Sequence, residues 1–142
     1  MAVADDYEAR VLLPLLADRL RSKQLQPRHF LVLLGLTKLA DASTTIVGLA
    51  AVPSLVEANP ALRALIEHFG LGYAVLLGSL VVIGLVWGAT ELGTLACNRL
   101  APEEAWAPPV LRVVGYLPIS LVFLSAAVHN ALLILASLGG IP

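Results

Sequence analysis

Charge is scarce in this chain. Only 13% of its 142 residues are Asp, Glu, Lys or Arg, about half the share carried by a water-soluble domain. Nine basic residues nearly cancel ten acidic ones, for a net charge of −1, so there is no basic excess of the kind that marks a nucleic-acid partner. The single cysteine, Cys97, excludes an internal disulfide and a cysteine-only zinc site, and reads as a small apolar residue. Neither H-E-x-x-H, H-x-x-x-H, G-x-S-x-G, a Gly-rich phosphate loop nor a D-x-x-D pair occurs, which sets aside the chemistries those motifs carry. Ser43 and Ser125 lack any neighbouring pattern of a nucleophile.

Hydrocarbon takes the place of charge. Hydrophobic residues make up 58% of the chain and the mean hydropathy is +0.87. Three runs, Phe30–Val52, Leu71–Ala96 and Val110–Leu138, are each long enough to cross a hydrocarbon layer of about 30 Å as a helix. The fold class expected is therefore all-α and integral to the membrane, with three transmembrane helices. Residues 1–28 hold nearly half of all the charges. Their acids come first and Pro14 breaks the apolar run, so they do not form a signal peptide and are expected to stay on the mature protein as a cytoplasmic, interfacial amphipathic helix bent near Pro14. Residues 29–142 form the three-helix transmembrane domain.

The connections Pro53–Gly70 and Arg99–Pro109 carry the prolines and charges of water-exposed segments. In the first, Ala61–Phe69 has the spacing of a short amphipathic helix on the outer interface. Five basic residues precede span one, and Arg99 and Arg112 flank the second connection, against Arg63 alone in the first. The positive-inside rule then places the N-terminus in the cytoplasm and the C-terminus outside. Trp106 and Tyr116 suit the inner interface and Tyr73 the outer. Pro118 is expected to distort the start of span three. In span two, Ala74/Gly78, Gly84/Gly88 and Ala89/Gly93 lie four apart, a spacing that lets backbones approach, within the chain or between copies. Three helices enclose little volume, which points to a homo-oligomer or a subunit of a larger membrane complex.

Against this background the ionisable residues inside the spans stand out. Lys38 and Asp41 lie three apart in span one, on one face with Thr45 and Gly48. An unpaired Lys or Asp at the centre of a membrane helix costs about 2.5–3.5 kcal/mol, so the two are expected to meet. One reading is a self-neutralising pair; the other is a site where Asp41, helped by Thr44 or Thr45, holds or relays a cation while Lys38 tunes it. Counting along the spans, Asp41, Ser43, Thr44, Thr45, Glu57, Asn59, His129 and Asn130 converge near the outer connection, with His68 above them. Asn59 and Pro60 also serve as a helix cap and first turn. Glu91 falls with Thr90, Thr94 and Asn98 toward the opposite side, as a second, inner group, rising toward the bundle centre if its span tilts.

The stretch Asp41-Ala-Ser-Thr-Thr45, then Gly48, then Glu57-Ala-Asn59-Pro60, resembles the D-x-x-[ST]-T and E-x-N-P signature of a family of small prokaryotic integral-membrane proteins with a domain of unknown function. The resemblance spans roughly residues 37–97. It implies a membrane architecture and a polar site at Asp41, Thr45, Glu57 and Asn59, and no reaction. Taken together, the residues suggest ion or small-solute binding or permeation, with Asp41 as central acceptor, Thr45 and Asn59 as support, Glu57 as entrance carboxylate and His129 as titratable partner. Two other readings stand beside it. In a non-catalytic assembly subunit the polar residues are interhelical glue, and in an intramembrane metal enzyme Asp41, Glu57 and His129 would be ligands. No cofactor is identified.

Overall fold

The computed structural model describes residues 26–53 and 55–139. The expected amphipathic helix at the N-terminus lies outside the described residues. Four helices follow one another: α1, Pro27–Ala51; α2, Pro60–Phe69; α3, Leu71–Leu100; and α4, Ala107–Leu138. Among the described residues there is no strand. The protein is all-α, and α1, α3 and α4 are long and apolar enough to span a membrane. At 1.5 Å per residue they measure about 37, 45 and 48 Å, more than the hydrocarbon thickness of about 30 Å.

Each helix begins where the local chemistry allows it. Pro27 sits in the first turn of α1, and the Gln26 backbone N–H is taken by Nδ1 of His29 at 3.0 Å, so α1 starts three residues before the apolar run does. Asn59 caps α2 by accepting from the N–H groups of Ala61 at 3.0 Å and Leu62 at 3.4 Å, with Pro60 in the first turn. Gly70 joins α2 to α3 at φ 79°, a left-handed conformation that a side chain would strain. Pro108 and Pro109 occupy the first turn of α4, where their missing N–H groups cost nothing. The helix continues through Pro118, which lies on its exposed side.

The three long helices all touch one another, the α1–α4 contact being the most extensive, and α2 packs on α3. Along α1 and α4, Phe30 meets Tyr116, Lys38 meets Phe123, Thr45 meets Asn130 and Gly48 lies against Ile134. Partners stay 85–86 residues apart from one end to the other, so the two helices run parallel and in register. The contacting residues recur at spacings of three and four, the periodicity of one helix face. Helix α3 runs antiparallel to both. On α2, Leu62, Leu65 and Ile66 turn inward while Arg63, Glu67 and His68 stay exposed.

Little else is covered. Only 11–17% of the most apolar window of each long helix is buried within the chain, and Leu36, Leu39, Leu80, Leu85, Leu92 and Leu132 are all at least 60% exposed. So continuous an apolar exterior on backbones whose hydrogen bonds are all internal is suited to lipid.

Two sequence expectations change on packing. Gly84, Gly88 and Gly93 have no neighbour that an added Cβ would meet within 4 Å, so within the chain this G-x-x-x-G does not mark a helix contact. The closest backbone approach is at Gly115 on α4, where a Cβ would lie 2.8 Å from Cγ2 and 3.1 Å from Cβ of Thr90, and closer still to its Oγ1. Tyr116 is fully buried, whereas an interfacial belt residue would reach the membrane surface. Its hydroxyl has found a carboxylate inside the bundle instead.

Candidate functional site

A cavity of about 470 Å³ opens at the end of the bundle that carries the α1–α2 connection. The C-terminal half of α1, the connection, the N-terminal half of α3 and the C-terminal half of α4 wall it. Its size falls within the ordinary range for small-molecule sites, about 300–1,000 Å³. Lys38, Asp41, Thr44, Thr45, Glu57, Asn59, His129 and Asn130 all line it, so these residues of the expected outer group share one cavity.

Two of these residues carry a compensated charge. The Lys38 ammonium donates to Oδ2 of Asp41 at 2.6 Å and sits 4.6 Å from the centroid of the Phe123 ring. The pair is held on α1, with each side chain only 13–14% exposed. Helical spacing brings the two groups together without help from another helix. The aromatic face on α4 then fixes the ammonium by attraction to its ring electrons. Phe123 was not foreseen as part of the site. Its place follows from the register, since it lies seven residues before Asn130, just as Lys38 lies seven before Thr45.

The hydroxyls and amides divide by role. Thr44 donates back to the carbonyls of Ala40 and Asp41, both at 3.0 Å, so its donor is engaged by its own helix. Thr45 instead accepts from the Asn130 amide at 3.1 Å, linking α1 to α4 at the cavity wall. Glu57 accepts the Asn59 N–H at 2.8 Å, and its backbone carbonyl accepts from the Arg63 guanidinium, 3.2 Å from Nε. The connection is thus tied to the first turns of α2. His129 lines the cavity from an exposed position on α4, with no hydrogen-bond partner among the described residues. Ser43 is exposed and His68 bonds to the Ala64 carbonyl; neither lines the cavity.

At the opposite end, Glu91 forms a different kind of group from the one expected. Arg112 of α4 grips its carboxylate with Nε at 3.1 and 3.2 Å and Nη2 at 2.8 Å, and the Tyr116 hydroxyl adds a bond at 3.1 Å. Tyr116 in turn stacks on Phe30 of α1, with ring centroids 5.7 Å apart. One carboxylate therefore ties α3 to α4 and, through the stacked rings, to α1. Asn98 is exposed about two turns away on α3 and takes no part. Thr94 bonds back to the Thr90 carbonyl at 2.8 Å, and Thr90 fills the space against Gly115.

Among the described residues, no three His, Cys, Asp or Glu side chains come together in a group able to hold a metal ion. Asp41, Glu57 and His129 share a cavity without converging on a common point, which leaves the metal-enzyme reading without a ligand set.

Fold and site together define an all-α membrane protein with three helices long and apolar enough to span, and a cavity lined partly by polar side chains at one end of the bundle. Compared with protein-family models, curated proteins and solved structures, the chain finds no match in any of the three.

Proposed function

We propose that this is a multi-pass protein of a prokaryotic inner membrane that binds, and passes or presents, an ion or small solute in the cavity beside Lys38 and Asp41. The observation behind this reading is that the ion pair of α1 lies on the wall of a cavity of about 470 Å³, with Glu57, Thr45 and Asn130 around it. A pair serving only to let α1 insert would need no cavity beside it, and interhelical glue would be packed without space. The charge asymmetry of the connections supports an N-terminus in the cytoplasm and a cavity facing the outer side.

The test is saturable uptake or retention of monovalent cations, from sodium to methylammonium, by the full-length protein in proteoliposomes. Asp41→Asn should abolish it. Because that change leaves Lys38 without its partner, the doubly neutral Lys38→Met/Asp41→Asn variant is measured beside it and should also be inactive. Wild-type behaviour of both variants removes Asp41 from the role.

A further inference from the structure

Resting on the reading of the cavity as a solute site, the hydrogen-bonding capacity left around it selects a class of solute. Glu57 takes the Asn59 N–H on Oε1, and its second oxygen has no partner among the described residues. Asp41 takes the Lys38 ammonium on Oδ2, and Oδ1 likewise has none. Asn130 gives one N–H to Thr45 and keeps a carbonyl oxygen unengaged. Donors stand beside these acceptors: the second Asn130 N–H, the Asn59 side-chain NH2 and the Thr45 hydroxyl, while Thr44 is turned onto its own helix and the Lys38 ammonium is shared between Asp41 and the Phe123 ring. Formal charge decides the sign of the solute: one lysine stands against two carboxylates, a net −1 with His129 neutral.

The rest of the wall is apolar, with Leu49, Leu55, Val82, Val122 and Leu133 facing the same space. We propose that the cavity takes an amphiphilic organic cation whose charge sits on an N–H-bearing group, a primary ammonium or a guanidinium, attached to a short apolar body. The N–H groups meet the unengaged Glu57 oxygen, with the Asp41 carboxylate adding its charge from the cavity wall, and the body lies along the Val82, Val122 and Leu133 wall. A fully methylated ammonium has the same charge but no donor for that acceptor, so it is discriminated against. A carboxylate meets like charge and is rejected.

The experiment is calorimetric titration of the full-length protein in nanodiscs, corrected against empty nanodiscs, with hexylammonium, hexyltrimethylammonium, hexanoate and sodium chloride as separate probes. Hexylammonium should bind saturably and at least about tenfold more tightly than hexyltrimethylammonium, with hexanoate not binding. Glu57→Gln keeps an acceptor for the Asn59 N–H while removing the charge, and should weaken hexylammonium about tenfold. Ala126→Phe, which fills the cavity, should abolish binding. Equal binding of the methylated and unmethylated amines, or tighter hexanoate, overturns the proposal. Saturable sodium binding without hexylammonium binding overturns the organic class but leaves the cavity as an ion site. Silence from every probe, with the helical circular dichroism of the wild type intact, overturns both this proposal and the solute-site reading beneath it.

Discussion

The two ionic groups of this protein solve the same problem in opposite ways. Glu91 and Arg112 reach each other across two helices, and together with Tyr116 the carboxylate receives four hydrogen-bonding contacts. Lys38 and Asp41 meet within one helix through a single contact of 2.6 Å. The first arrangement takes up nearly all the capacity of the carboxylate and holds helices together. The second neutralises charge but leaves one carboxylate oxygen unengaged beside open space. A charge pair that spans elements is thus suited to clamping, and one confined to an element leaves its surroundings available to a ligand.

The sharpest way to break this contrast is Arg112→Ala, which leaves Glu91 charged with only Tyr116 beside it. Destabilisation of about 2.5–3.5 kcal/mol is expected, the cost of an uncompensated charge in a membrane helix. Unfolding in mixed micelles measures it, and Arg112→Ala/Glu91→Gln should recover part of the loss. A recovery of nothing would mean that Arg112 acts through packing alone.

Gly115→Ala comes next in size. The new methyl would collide with Thr90, and overpacking of this kind costs about 1–3 kcal/mol. Thr90→Ala removes the two nearest atoms and should rescue it. The smallest effect is expected at the cavity end, where a double-mutant cycle of Thr45→Val and Asn130→Ala should give a coupling of about 0.6 kcal/mol, ordinary for interhelical hydrogen bonds in membranes. A coupling as large as that of the clamp would make the cavity wall a structural joint and erase the contrast.

Much of this was readable from the sequence, for a physical reason. In a chain so apolar, every ionisable residue within a span is conspicuous, and depth along a helix is a matter of counting at a fixed rise per residue. The gathering of Asp41, His129 and Asn130 followed from that count, which also put Ser43 among them although it lies outside the cavity. Rotation about the helix axis does not follow from counting. The sequence therefore could not show that Glu91 faces Arg112 rather than Asn98, that Tyr116 turns inward, or that the close approach falls at Gly115 and not at Gly84 or Gly88. The helix ends were off by a few residues for another reason: Gln26, Pro27, Pro108 and Pro109 start helices outside the apolar runs, where capping rather than hydropathy decides.

The parallel pairing of α1 with α4 also bears on how the protein is made. The main neighbour of α1 is encoded 85–86 residues downstream, an interval of about 4–17 s at ordinary rates of translation. Through that interval Lys38 and Asp41 have no α4 to lean on, while their spacing on one turn lets them quench each other from the moment α1 enters the bilayer. Separating the two by a half-turn should therefore hinder insertion of the nascent chain before it affects the finished bundle.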